Sequence, residues 1–94
     1  MILKRENDNM TNSTTNKLTL IKRSTPLCPA CNTMQFILES EGIPFDIIDI
    51  AEEADAVEKY NLSSVPVLLI AEDNGNQIKL NGIQPIEVIK ELLE

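Results

Sequence analysis

A chain of 94 residues with 43% hydrophobic content has room for one domain with a modest core, and excludes a second domain of its own. The formal net charge of −7 and pI near 4.5 argue against nucleic acid as a partner, because phosphate contacts need clustered Lys and Arg. With only Phe36, Phe45 and Tyr60 aromatic, stacking on bases has little to work with, and the core must be built from Ile, Leu and Val.

The opening "MILKRENDNM" lacks the apolar run of a secretory leader and no apolar stretch is long enough to cross a membrane, so no membrane association and a cytoplasmic location are expected. Charge is unevenly spread: residues 1–23 carry a net +3 and residues 24–94 a net −10. Residues 1–16 are polar, and "NDNMTNSTTN" has neither helical nor strand period, which predicts a flexible N-terminal extension before a domain over residues 17–94.

From Lys17, "KLTLIKR" alternates and predicts a first strand ending near Arg23. In "PACNTMQFILESEG" the apolar positions Ala30, Met34, Ile37 and Leu38 share a helical face, Pro29 suits the first turn, and Gly42 supplies a left-handed stop. "PFDIIDI" reads as a mainly buried second strand. "AEEADAVEKYN" reads as a short acidic helix with Ala54, Val57 and Tyr60 inward and Glu52, Glu53, Asp55 and Glu58 solvated.

An apolar third strand in "VPVLLIAED" turns through "DNGN" into "QIKL", since Asn-Gly between two such runs signals a hairpin. Pro85 then starts a last helix with Ile86, Ile89 and Leu93 on one face. The order βαβαββα predicts an α/β fold: a four-stranded mixed β-sheet with three helices and a right-handed parallel crossover.

Both cysteines lie in "STPLCPACNTMQF", between the first strand and the first helix. A reducing cytosol disfavours a permanent structural disulfide, which leaves a metal clamp or a redox couple. A closed zinc site needs four ligands, and this chain offers two cysteines and no histidine, so metal or iron–sulfur ligation requires two chains to share their thiolates. For the redox couple, Cys28 falls at the exposed N-terminal edge of the helix, where unpaired backbone N–H groups and the helix dipole favour a thiolate.

Lowering a thiol pKa from about 8.5 to about 6.5 would raise its thiolate fraction at pH 7 from roughly 3% to about three quarters. Cys28 is then the attacking sulfur, and Cys31, one turn on, the resolving one. Between them Pro29 stiffens the turn and Ala30 leaves an open surface for a partner. No acidic residue lies between Ser24 and Leu38, while Lys22 and Arg23 stand just upstream, either to orient an acidic partner or merely to end the strand.

Cys28-Pro29-Ala30-Cys31 after a first strand, with Ser64-Val65-Pro66 before the third, resembles the glutaredoxins and small thioredoxin-like redoxins of the thioredoxin superfamily over residues 17–94. The resemblance implies a thioredoxin-like fold and a protein-disulfide reductase cycling a Cys28/Cys31 dithiol. It also implies a cis Val65–Pro66 bond beside the cysteines, with backbone there that pairs with substrate. No bound cofactor is implied; the expected partners are disulfide-containing proteins, with ribonucleotide reductase a candidate, and thioredoxin reductase or glutathione as external reductant to a monomer.

Two positions depart from the glutaredoxin pattern. Thr25 stands where those proteins usually carry a glutathione-binding Lys, and "LNGIQPIE" keeps Gly82 alone of their Gly-Gly-Asp before the last helix. Thr25, Pro29, Ala30, Val65 and Gly82 are the expected substrate-binding positions, around Cys28, Cys31 and Pro66 as the catalytic ones.

Overall fold

The structure, a computed structural model, describes residues 16–94. The expected N-terminal extension lies outside the described residues except for Asn16, whose main-chain and side-chain N–H groups each donate to the Asp46 carboxylate at 3.1 Å. In chain order the elements are β1 (Leu18–Lys22), α1 (Pro29–Ser40), β2 (Asp46–Asp49), α2 (Ala56–Lys59), β3 (Val67–Ala71), β4 (Gln77–Asn81) and α3 (Ile86–Leu93). The strands form one sheet ordered β2-β1-β3-β4, parallel between β1 and β2 and antiparallel elsewhere, so the fold is the expected βαβαββα.

Strand alternation sorts the core into two layers. Leu18 and Leu20 of β1, opposite Ile70 and Leu68 of β3, are buried on one face with Met34 and Leu38 of α1 and Ile89 of α3. Ile21, Val67 and Leu69 are buried on the other face, under Ile48, Ile50, Tyr60, Leu62 and Val65. Central β3 is apolar at four consecutive positions because both of its faces are covered.

The second strand is not mainly buried: β2 is an edge with one neighbour, and its Ile47 is 46% exposed. On α1 the buried stripe is Cys31, Met34 and Leu38, with Ile37 packed beside it and Ala30 only half-buried. Gly42 does end this helix, at φ +69: its N–H donates to Glu39 O and that of Ile43 to Leu38 O, both at 3.1 Å. The closing hydrophobic contact of this cap is supplied by Ile43, which packs against the cluster containing Leu38.

The acidic helix is a single turn, and its inward residue is Ala56; Ala54 is exposed and Val57 is 40% exposed, while Tyr60 packs inward as expected. Glu52 and Glu53 are spent in a turn, their N–H groups donating to Asp49 O at 2.9 and 2.8 Å, so the helix starts only at Ala56, which is buried. The Asn74-Gly75 hairpin forms as expected, closed by Glu72 N–H to Asn76 O at 2.8 Å.

Val67 is in register with both Ile21 and Asn81. The cysteine segment leaving β1, the Val65–Pro66 segment entering β3 and Gly82 leaving β4 therefore gather at one end of the sheet. That convergence makes the site.

Candidate active site

Cys28 is the N-cap of α1, with extended backbone at φ −126° and ψ 94°, and Pro29 takes the first helical position, where a missing N–H costs nothing. A cap residue normally offers a side-chain oxygen to the first turn; here Cys28 Sγ accepts the Cys31 N–H at 3.1 Å. Cys28 and Cys31 are joined in a disulfide, with Cα atoms 5.2 Å apart.

Cys28 is not exposed as its place at the helix edge suggested: it is 5% exposed, and Cys31 is fully buried. The N-cap geometry explains this, because Sγ turns back over the first turn toward the Cys31 amide instead of outward. Pro29 is exposed and Ala30 half-buried, so the residues between the cysteines do contribute surface.

The Val65–Pro66 peptide is cis, as the family resemblance implied, and so is Thr25–Pro26, which nothing in the sequence signalled. Pro66 is fully buried and its carbonyl accepts the Gly82 N–H at 2.8 Å, with Gly82 at φ +81. Gly82 thus braces the cis-proline from behind, in a conformation a side chain would strain. Among the described residues the Val65 main-chain N–H and C=O, by contrast, have no hydrogen-bond partner, which leaves them free for an extended peptide.

The loop after β4 is tied to the cysteine helix as well. Gln84 N–H donates to the buried Met34 Sδ at 3.4 Å, and Gln84 Nε2 to Asn81 O at 2.7 Å. One short segment thereby links α1 to the cis-proline.

Lys22 and Arg23 are both engaged within the chain. Lys22 Nζ donates to Gln35 Oε1 at 2.7 Å, and Arg23 donates from Nε to Pro26 O at 3.0 Å and from Nη2 to Leu27 O at 3.4 Å. Asp49, at the end of β2, accepts from Ser24 N–H at 3.1 Å and Ala51 N–H at 3.0 Å. Hydrogen bonding from the Ser24 side chain, then from the Ala51 and Ser24 amides, with Lys22 nearby, holds the Asp49 carboxyl below the usual carboxylate range against a partial desolvation that opposes it.

Neither Arg23 nor Asp49 is legible as a site residue in a motif search. Arg23 follows the first strand directly, just ahead of the cysteine segment, whereas Asp49 ends the second strand and reaches that segment only through the β1–β2 register. A cavity of about 150 Å³ lies between this segment and the cis-proline approach, lined by Arg23, Val57, Ser63, Ser64 and Val65 among others. Thr25 is exposed on its loop.

A mixed four-stranded sheet carrying a strand-to-helix Cys-x-x-Cys disulfide beside a cis-proline defines a thiol–disulfide oxidoreductase of the thioredoxin fold. Within that class the chain belongs to the glutaredoxin family, whose model matches residues 18–74. It is 30% identical over 76 residues, 80% of this chain and 94% of the relative, to the SPbeta prophage-derived thioredoxin-like protein YosR of Bacillus subtilis.

Among solved structures it is similar to a glutaredoxin from Archaeoglobus fulgidus, at TM-score 0.62 and 26% identity over 85% of this chain and 88% of that one. The fold is also shared with the glutaredoxin-like NrdH-redoxin from Escherichia coli, at TM-score 0.56 and 24% identity over 78% and 91% of the two chains.

Proposed function

We propose that this protein is a cytoplasmic, monomeric dithiol electron carrier that reduces disulfides in other proteins. The Cys31 N–H donating to Cys28 Sγ at 3.1 Å at the start of α1 carries the reading, because the same bond stabilises a Cys28 thiolate once the disulfide is open. In the reduced state the Cys28 thiolate attacks one sulfur of the substrate disulfide and expels the other as a thiolate that takes up a proton.

Cys31, losing its proton, then attacks Cys28 Sγ and releases the second substrate thiol. Two electrons from the protein, one proton from solvent and one from Cys31 end on the substrate, and the Cys28–Cys31 disulfide is left for an external reductant to reopen. Val65, with its main-chain groups free ahead of the cis-proline, pairs with the substrate strand, and Pro29 and Ala30 form the contact surface on the other side of the sulfurs.

Thioredoxin reductase is the preferred reductant over glutathione. Thr25 supplies no cation where the glutaredoxins place Lys, and the Gly82 N–H is spent on Pro66. The Escherichia coli relative of this fold is described as glutaredoxin-like with a thioredoxin-like activity profile, which is the same combination. Ribonucleotide reductase, to which some redoxins of this kind donate electrons, is the candidate target.

Insulin disulfide reduction coupled either to thioredoxin reductase or to glutathione and its reductase tests the proposal. Faster turnover with thioredoxin reductase is expected, with no turnover for Cys28→Ser and an accumulated mixed disulfide for Cys31→Ser. Retained turnover in Cys28→Ser would sink the mechanism, and faster turnover with glutathione would sink the reductant.

A further inference from the structure

Ser24 to Leu27 is the segment that delivers Cys28 to the helix start, and all four residues are exposed. No backbone–backbone hydrogen bond reaches this segment among the described residues. Its main-chain groups are met by two charged side chains. Asp49 Oδ1 accepts the N–H of Ser24, the first residue, and Arg23 donates to the carbonyls of Pro26 and Leu27, the last two.

Both side chains come from the strand ends beneath the segment. Lys22 of β1 is in register with Asp49 of β2, so Asp49 stands beside the point where the chain leaves the sheet, and Arg23 is the next residue along. Asp49 is itself fixed by the Ala51 N–H, and the hydrogen bonds it accepts keep it ionised. The planar guanidinium suits a double role at Arg23, since two of its N–H groups address successive carbonyls, a geometry an ammonium does not impose.

We infer that Arg23 and Asp49 are positioning residues that clamp Ser24–Leu27 at both ends, and so hold Cys28 where its sulfur meets the Cys31 amide. An exposed segment without ladder bonds otherwise regains the conformational freedom of its four residues. Cys28 Sγ would then spend part of its time away from the amide that stabilises its thiolate. The inference rests on Cys28 being the attacking thiol of the proposed function.

The experiment is the pH dependence of iodoacetamide alkylation of Cys28, in Cys31→Ser protein so that a single thiol reports. Arg23→Met and Asp49→Ala are expected to move the alkylation midpoint up and slow alkylation at pH 7 by roughly 3- to 10-fold, in proportion to lost thiolate. Asp49→Asn, which keeps the accepting oxygen and loses only the charge, leaves the midpoint at or below the parent value, and Arg23→Lys restores it only in part.

The sign at Asp49 separates clamping from simple charge. Removing a negative charge near a thiol favours the thiolate, so a through-space effect moves the Asp49→Ala midpoint down, opposite to the clamp. A downward or absent shift in Asp49→Ala overturns the inference, as does a lowered melting temperature in Arg23→Met with the midpoint unmoved. A parent midpoint near the free-thiol value of about 8.5 would instead overturn the activated Cys28 of the proposed function, whereas a depressed midpoint that the variants leave in place overturns the clamp alone.

Discussion

On the face of the sheet under α1 and α3, Leu18, Leu20, Met34, Leu38, Leu68, Ile70 and Ile89 are buried in one continuous cluster. On the α2 face the buried apolar cluster is smaller, Ile21, Val67 and Leu69, with Thr19 and the α2 residue Ala56 also buried, beneath a single helical turn and loops that leave cavities at Val57 and at Tyr60. At roughly 1.5 to 3 kcal/mol for each fully buried aliphatic side chain, the first face carries most of the hydrophobic stabilisation. The redox helix is rooted in that face, through Cys31, Met34 and Leu38. The approach to the cis-proline, residues 62–65, lies over the thinner one. The cysteine helix is thus tied to the thicker layer, while the cis-proline approach rests on the thinner one.

The largest effect that would break this contrast is on the thick face. Leu68→Ala, at a fully buried position opposite Leu20 and Leu80, is expected to cost about 2 to 5 kcal/mol of unfolding free energy in urea melts. Leu69→Ala on the other face borders an existing cavity, where the surroundings and water can fill the space, and is expected at about 2 kcal/mol or less. Equal losses at the two positions would erase the distinction between the faces.

Two smaller effects sharpen it through pH. The depressed Asp49 carboxyl contributes stability that is present above the unfolded carboxylate pKa of about 3.9 and is lost as pH falls through its lower folded value. Acid melting curves are therefore expected to flatten in Asp49→Asn below about pH 4. Smallest of all is the Lys90–Glu41 ion pair, 2.8 Å long, which joins α3 to the end of α1 with both side chains solvated.

The hydrogen bond and charge of Glu41 raise the Lys90 pKa, so its contribution is present below the unfolded value of about 10.4 and fades as pH rises through the folded one. Lys90→Met is expected to remove that alkaline dependence and change the neutral melting temperature little, as thermal melts at pH 7 and pH 11 would show.

Most of the architecture was legible because its signals are local. Alternation in "KLTLIKR", the Asn-Gly turn and Gly42 after a helical run each act within a few residues, and each produced the element expected. The errors lie where burial depends on neighbours. The two isoleucines of "DIID" cannot reveal that their strand is an edge, and the phase of a one-turn helix was set by the Asp49 turn upstream. The site shows the same division. The cysteine pair, Pro66 and Gly82 could be named from motif and resemblance; Arg23 stood out only as a cation that could orient a partner, not as a donor to the cysteine segment, and Asp49 not at all, because both meet that segment only where the strand ends come together.

The order of elements, the cysteine at a helix start and the class of chemistry follow from local signals, since spacing, turn residues and thiol chemistry operate over short stretches of chain. The inward turn of Cys28 onto the Cys31 amide, the brace of Gly82 against Pro66, and the two charged side chains bonded to the segment between β1 and α1 come from the folded arrangement alone. Each of those depends on which strand ends meet. That is fixed by sheet order and register, and no local pattern in the chain encodes it.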